Sequence, residues 1–531
     1  MATGVIAQIS EGGQPISFGN SLKSAGEIPV ILLPEMNNDE LIREDIEAGL
    51  EGQYDYRIAK GIHADIHPSN EGIWETLPDG SRLWRVTIKS ENAYAMDIFF
   101  EKYMLPEGAR LFVYNKEKDD ILGAFTHNNN KSYGKLAIAP VKGNEITIEY
   151  FEPEYVTIPV QLQIGTIGHF YKGNALFGTT GYGDSEKCNK DIICPEGVDW
   201  QVEKRSVAMI LFKNSAGNSF LCSGALINNA RSNGQPYLLT ANHCLPTYTE
   251  AQTAIYYFNY DSPSCGGPDG DKSQTISGST ILATTNNLDF CLVKLSSTPP
   301  ASYQPYYSGW DVTTKNPSNC VTIHHPVGDV KKISFYNDVA ITGDFVYQWD
   351  FDDNTHWFID RWSKGITQGG SSGSPLYNKD HRIVGDLTGG STAGNCTSSD
   401  AYYAKISHSW DDYSHTTAQL KHWLDPDNTG ITFVDGYEPN FSSVNDLSSH
   451  QNLFEIYPNP SNGILYIGSN MSDHLPEYVH VYDLSGRRVH SISSASFKNV
   501  IQVDLNHLPS GMYIIQAGDD NYLETDRIMI R

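Results

Sequence analysis

The sequence predicts an all-β chain of several domains, on three observations. Short apolar runs with a period of two recur along its length between Gly, Pro and Asn turns, and only two short stretches carry helical spacing. All eight cysteines fall between Cys188 and Cys396, which sets one block apart from cysteine-free flanks. The polar segment from Glu438 to Asn452 is rich in Ser and Asn and reads as a linker. At roughly 150 residues per domain, 531 residues allow three or four domains. The boundaries read as 1–172 for an N-terminal region with a β-rich domain over about 74–153, 173–437 for the cysteine-bearing block, 438–452 for the linker and 453–531 for a small C-terminal β-sandwich.

Taken in order, Asn38 to Gly49 has helix-like spacing (Leu41, Ile46, Leu50) among many carboxylates. Trp84, Val86 and Ile88, and then Ile146, Ile148 and Tyr150, alternate with polar residues as half-buried strands do. Pro106-Glu107-Gly108 and Lys142-Gly143-Asn144 supply turns. The cysteine block repeats this texture and adds one helix, Thr416 to Leu424, with Thr416 placed to cap it. Beyond the linker, the runs at Ile464–Ile467, Val479–Tyr482 and Met512–Ile515 read as sandwich strands. There is no internal repeat.

Composition narrows the function. Hydrophobic residues at 39% exclude wholesale disorder, and 37 basic against 63 acidic side chains give a charge of −26 that repels nucleic acid and anionic membrane. No stretch approaches the roughly 18 apolar residues of a membrane helix. The first twenty residues lack a basic n-region and an apolar h-region, and Ile28–Pro34 is too short and too Pro-bounded to serve. An even number of cysteines confined to one block points to disulfides, hence to export, so a signal peptide is expected to have been trimmed from this numbering.

Three strings in the block carry chemistry: Leu239-Thr240-Ala241-Asn242-His243-Cys244, Asn287-Leu288-Asp289-Phe290-Cys291, and Gly369-Gly370-Ser371-Ser372-Gly373-Ser374-Pro375. Their order, His then Asp then Ser, is one of the known orders of a catalytic triad. A serine hydroxyl needs a neutral imidazole to take its proton, and the imidazole needs a carboxylate to fix its tautomer. Glycines around the serine let backbone amides converge on the developing oxyanion, with Gly370 and Ser372 the candidate donors.

These strings resemble the chymotrypsin-like serine proteases, and Cys222 upstream of Cys244 fits the bridge that family places beside its histidine. The block is more similar still to bacterial lysyl endopeptidases, from Cys188 to about Tyr437. It shares Cys188-Asn189-Lys190-Asp191-Ile192-Ile193-Cys194-Pro195-Glu196-Gly197, Ile323-His324-His325-Pro326, and the tail Trp423-Leu424-Asp425-Pro426 through Phe433-Val434-Asp435-Gly436. The resemblance implies a chymotrypsin-like double β-barrel and the bridges Cys188–Cys396, Cys194–Cys265 and Cys222–Cys244. Cys291 and Cys320 have no family counterpart and would form a fourth bridge by elimination.

The resemblance also implies a specificity site. A trypsin-type pocket is excluded because Ile366 stands where trypsin has its aspartate; in lysyl endopeptidases the aspartate comes from a later loop, matched here by Asp400. A turn or capping role for Asp400 is the alternative. Trp349 falls where the family stacks a tryptophan near the catalytic histidine, or else it packs in the core. Thr388 departs from the family's histidine, and Gly389 and Gly390 are expected to offer the edge that pairs with an extended substrate. No metal or cofactor is expected: His324-His325 is not a zinc motif, and Asp425, Asp427 and Gly430 read as a turn rather than a calcium loop.

The flanks carry resemblances of their own. Leu77-Pro78-Asp79-Gly80, Leu83-Trp84-Arg85-Val86, Leu105-Pro106-Glu107-Gly108-Ala109 and Gly123-Ala124-Phe125-Thr126 are similar to pro-regions of Bacteroidetes-type secreted proteases. Maturation is expected between Pro153 and Cys188, with Lys172-Gly173 suited to self-processing by a lysine-specific enzyme. Tyr457-Pro458-Asn459-Pro460, Val481-Tyr482-Asp483-Leu484-Ser485-Gly486-Arg487 and Leu508-Pro509-Ser510-Gly511-Met512-Tyr513 resemble the type IX secretion sorting domain. The expectation is a monomeric endopeptidase zymogen, exported through the periplasm of a Gram-negative bacterium to the cell surface or medium. Its partners would be peptide or protein substrates and the type IX machinery, not nucleic acid. A protease of different specificity, or a silent adhesion or binding protein on the same scaffold, are the alternatives.

Overall fold

The structure, a computed structural model, describes residues 10–19, 28–50, 56–172, 185–347, 350–391, 396, 399–439, 454–469, 478–483, 487–493, 500–518 and 523–531. The chain divides into two units, Met1–Pro439 and Asn440–Arg531. Within the first, one sheet orders Val30–Leu32, Arg82–Lys89, Glu145–Glu152, Arg110–Asn115 and Ile121–Phe125, with Ile73–Thr76 on its side. Trp84 faces Tyr150, Val86 faces Ile148 and Ile88 faces Ile146, so the alternating apolar residues share one buried face. The opposite face is buried as well, contrary to the half-buried expectation. Residues 16–18 cover it, with the Ser17 N–H donating to Glu149 at 3.2 Å and Phe18 edge-on to Tyr114.

A second sheet of eleven strands joins the N-terminal region to the cysteine block. Leu136–Lys142, Ala95–Met104, Gln161–Phe170 and Tyr56–Ile66 lie side by side, and Tyr56–Ile66 then pairs antiparallel with Ser219–Leu226. The register sets Ala59 against Ser219, Arg57 against Phe220 and Tyr56 against Leu221. Beyond the junction, Val207–Lys213, Ile255–Phe258 and Thr275–Ser277 continue in one direction, and Tyr237–Ala241, Phe290–Leu295 and Ser279–Thr285 curl in the other to give a barrel-like sheet. The N-terminal β-structure therefore extends past 74–153 at both ends.

The second half of the block is a ten-stranded sheet running Lys190–Asp191, Lys332–Val339, Ser318–His324, Pro375–Tyr377, Arg382–Gly389, Ala401–Lys405, His356–Ile359 and Ile341–Gly343, with Gly309–Asp311 and Phe433–Val434 off this path. Each half has its own apolar core, and a third cluster that includes Leu239, Phe290, Trp310, Ile323 and Ile383 seals one half against the other. The all-β fold class and its pair of barrel-like sheets agree with the sequence.

The bridges Cys188–Cys396, Cys194–Cys265 and Cys222–Cys244 are present. The expected Cys291–Cys320 bridge is not: both are free buried thiols. Cys291 lies in the core of the first barrel and Cys320 in that of the second, so each sulfur is enclosed by its own half. Burial pushes both thiols up to about 12, which keeps them unreactive. The helix expected over Thr416–Leu424 is also broken. Thr416–Ala418 forms a 3-10 turn without a side-chain cap, Gln419 is extended, and Lys421–Leu424 makes one α-turn, because the Leu420 N–H is taken by Ser409 O at 2.8 Å.

The C-terminal unit holds two antiparallel sheets. One comprises Phe454–Tyr457, Ile464–Ser469 and Val500–Asp504; the other comprises Arg488–Ser493, Tyr478–Tyr482, Gly511–Gly518 and Leu523–Ile530. Leu465, Ile467, Val479, Val481, Val503 and Ile515 pack between them, the signature of a small sandwich. Of the linker 438–452, only Glu438 and Pro439 fall within the described residues, and Leu484 to Gly486 of the second motif lie outside them.

Candidate active site

The strand Tyr237–Ala241 runs antiparallel to Phe290–Leu295 with Ala241 opposite Phe290. The chain therefore leaves one strand at His243 beside the point where it enters the other at Asp289. The Asn242 N–H donates to the Asp289 carbonyl at 3.0 Å, and Asp289 takes φ +50°, a left-handed turn conformation that Asp tolerates better than most residues. Its carboxylate, 1% exposed, accepts the His243 backbone N–H at 3.0 Å and lies 3.0 and 3.1 Å from Nδ1. A carboxylate in this position holds the proton on Nδ1 and leaves Nε2 as the basic nitrogen.

Ser372 occupies a tight loop that rests on the same barrel. The Ser223 N–H donates to the Ser372 carbonyl at 2.7 Å, and Ser223 Oγ donates to the Gly370 carbonyl at 2.9 Å. Cys222, the residue before Ser223, is bridged to Cys244, the residue after His243. Gly373, at φ +76°, packs so closely on Thr240 and Ser223 that a Cβ would overlap both. The serine loop thus meets the end of the strand that delivers the histidine.

Within this loop the N–H groups of Ser371, Gly373 and Ser374 donate to the carbonyls of Gln368, Leu387 and Ser371. Those of Gly370 and Ser372 have no intramolecular acceptor among the described residues. The loop is braced from beneath by His324, fully buried, whose ring nitrogens lie 2.8 Å from Ser371 Oγ and 3.1 Å from Ser334 Oγ. One assignment satisfies every donor: the Gln368 N–H donates to Ser371 Oγ, Ser371 O–H to Nδ1, Nε2–H to Ser334 Oγ, and Ser334 O–H to the Ile366 carbonyl. Burial, and after it the charge of Lys332, push His324 down to about 3, so the relay is neutral.

Two more buried groups stand behind the His–Asp pair. Asp386, 1% exposed, has both carboxyl oxygens without a hydrogen-bond partner among the described residues. Burial first, then the charge of Asp289, raise it well above the carboxylate range. His356, pushed by burial down to about 4, lies with Nε2 3.1 Å from Thr388 Oγ1. An imidazole from the strand His356–Ile359 therefore sits against Thr388 on the strand Arg382–Gly389.

Ser372, Gln368, Gly389 and Gly390 line one side of a cavity of about 710 Å³. Its other side is the N-terminal region: Asp45 on the helix Asn38–Leu50, together with Tyr56 and Lys172. The Tyr56 ring packs against Gly369, where a Cβ would approach it to 3.1 Å, and Lys172 Nζ pairs with Asp45 at 2.5 Å. Asp400 lies behind the Gly389–Ser391 wall: its Oδ1 accepts the Ser391 N–H at 2.6 Å, and the Tyr347 hydroxyl lies 3.1 and 2.9 Å from its two oxygens. Trp349 falls outside the described residues. The grouping Cys222, His243 and Cys244 has metal-like spacing, but its two sulfurs are bridged to each other. In the candidate calcium loop, the Asp425 carboxylate accepts from Thr429 and Gly430, and Asp427 pairs with Arg231.

Sequence alone did not single out His324, His356, Asp386 or Tyr347 for these places. The absence of a histidine at Thr388 was the one available signal, and it pointed to a gap without showing what fills it.

The family model described as lysyl endopeptidase, C-terminal domain, matches residues 182–404, and the one described as secretion system C-terminal sorting domain matches residues 455–531. A lysyl endopeptidase of Pseudomonas aeruginosa is 28% identical over 375 residues, covering 66% of this chain and 77% of that protein. Among solved structures, a thermostable serine protease from an extremophilic microorganism aligns at a TM-score of 0.30 and 14% identity, over 38% of this chain and 92% of that one. A Glu endopeptidase aligns at a TM-score of 0.27 and 17% identity, over 42% of this chain and 93% of that one.

Proposed function

Given that this chain is a serine endopeptidase whose residues 182–404 match the lysyl endopeptidase C-terminal domain, we propose that it hydrolyses peptide bonds on the carboxyl side of lysine. Ser372 Oγ attacks the scissile carbonyl while His243 Nε2 takes its proton, and Asp289 holds the imidazole and offsets its charge. The oxyanion is received by the N–H groups of Gly370 and Ser372. Collapse expels the amine, which receives the proton from His243, and water then hydrolyses the acyl-enzyme by the same steps. The observation that carries the lysine reading is the Asp400 carboxylate, bonded to the wall of the cavity that Ser372 lines.

The chain is exported from a Gram-negative cell under the direction of its sorting domain, and we assign that route to the type IX machinery. Residues 1–172 act as a pro-region, and the contact of Tyr56 and Lys172 with the Ser372 cavity supports this. Maturation at Lys172-Gly173 would release that contact.

The test is to profile the processed enzyme on matched Lys, Arg and Glu peptides, with Ser372→Ala as control. Cleavage after Lys alone, abolished in a folded Ser372→Ala variant and blocked by a serine-directed phosphonate, is expected. Equal rates on Lys and Arg would remove the lysine assignment, and failure of the phosphonate to label Ser372 would remove the nucleophile.

A further inference from the structure

We propose that Tyr347 is a specificity-determining residue that makes Asp400 a receptor for an ammonium and not for a guanidinium; this rests on Asp400 being the carboxylate that meets the substrate lysine. A carboxylate offers about four lone-pair sites, and a guanidinium binds it best as a fork, with one N–H to each oxygen in a common plane. Here that fork is already occupied on one side. The Ser391 N–H donates to Oδ1 at 2.6 Å, and the Tyr347 hydroxyl straddles the pair at 3.1 Å from Oδ1 and 2.9 Å from Oδ2. Among the described residues this leaves one lone-pair site on Oδ2 and a crowded Oδ1. An ammonium, a compact charge with rotatable donors, can use such a site with one N–H. A rigid planar fork cannot use both oxygens, and docking with one leaves its other donors desolvated without acceptors.

The tyrosine is held for this task. Its ring stands edge-on to Phe345, with centroids 5.5 Å apart, and to Tyr402 at 6.1 Å, and Phe345 also contacts Tyr402 at 5.3 Å. Tyr402 is opposite Gly389 across the pocket-wall strands, so the same aromatic group supports both the wall and the hydroxyl. A Cβ on Gly390 would overlap the Asp400 carbonyl, which brings the wall onto the carboxylate's own backbone.

The experiment uses the purified full-length chain after processing, as wild type, Tyr347→Phe and Asp400→Asn, on peptide pairs that differ only in Lys or Arg before the scissile bond. Tyr347→Phe keeps the ring and removes the donor, and its thermal midpoint should match wild type. Its kcat/KM on Arg should rise while that on Lys changes by less than about threefold, lowering the Lys/Arg ratio at least about tenfold, within the range that one pocket contact commonly sets. The change should lie in KM, because Tyr347 does not touch the reacting atoms. An unchanged ratio in Tyr347→Phe, with Lys cleavage collapsing in Asp400→Asn, would overturn the tyrosine's role and leave Asp400 in place. Full Lys cleavage by Asp400→Asn would overturn the Asp400 assignment, and this proposal with it.

Discussion

Asp97→Ala should loosen the N-terminal region from the barrel at one measurable point. Lys213, at the end of the strand Val207–Lys213, reaches across the sheet junction to Asp97 Oδ1 at 2.6 Å, with side chains 5% and 3% exposed. Lys213 Nζ also donates to Ser219 Oγ at 2.8 Å, and Asp97 Oδ1 accepts the Gly168 N–H at 2.9 Å. Removing the carboxylate leaves a buried ammonium with one neutral acceptor, a loss of about 3–5 kcal/mol in comparable buried pairs. Adding Lys213→Met replaces the stranded charge with an apolar chain of similar length and should recover most of that loss. The assay is urea unfolding followed by tryptophan fluorescence, in a Ser372→Ala background that removes the proposed nucleophile, with both single variants and the double completing the cycle. On the proposed maturation after Lys172, Asp97 leaves with residues 1–172, and Lys213→Met should then fall within about 0.5 kcal/mol of its parent. A cost under about 1 kcal/mol for Asp97→Ala, or a double variant no better than the single, would refute the reasoning.

Two further measurements follow from buried titratable groups. Burial holds His169 at about 4, His324 at about 3 and His356 at about 4, all below the unfolded value of roughly 6.5. The unfolded chain therefore binds more protons as pH falls from about 6.5, and stability should drop by up to about 1.4 kcal/mol per pH unit for each histidine, with His324→Asn flattening the slope. Asp386 has the opposite sign: its carboxyl is raised in the folded chain above its unfolded value of roughly 4, so it costs stability as pH rises above about 4, and Asp386→Asn should raise the melting temperature at pH 7 and leave it unchanged at pH 4. A gain that persists at pH 4 would contradict this. Finally, Cys291 and Cys320 should resist thiol reagents in the native chain and yield two equivalents after denaturation; fewer would indicate a bridge.

What was legible in the sequence was chemistry held in short strings. His243, Asp289 and the glycines flanking Ser372 lie where a strand ends in a turn, so local sequence carries both their identity and their backbone geometry. What was not legible depends on distant parts of the chain. Tyr56–Ile66 and Gln161–Phe170 pair with each other across nearly the whole N-terminal region, and neither alternates cleanly enough to stand out alone. Asp386 looks like any strand aspartate until two barrels close over it. Cys291 and Cys320 invite pairing by arithmetic, and only the separation of the two cores shows that they cannot meet. The helix at Thr416 failed for the same reason, since a tertiary acceptor claimed the Leu420 amide.

The eleven-stranded sheet has a consequence for the life of the enzyme outside the cell. While residues 1–172 stay attached, the segment Ser219–Leu221 is an interior strand with both flanks satisfied. Under the proposed maturation, three residues of backbone would face water along an unprotected margin, the kind of margin on which extended chains assemble. Lys213 lies opposite Ser219 at that margin and, without Asp97, would become a solvated positive charge there. Sheet proteins use such lysines to discourage adhesion between copies. On that proposal, the residue that fastens the N-terminal region to the barrel would stand guard against aggregation once the region is removed.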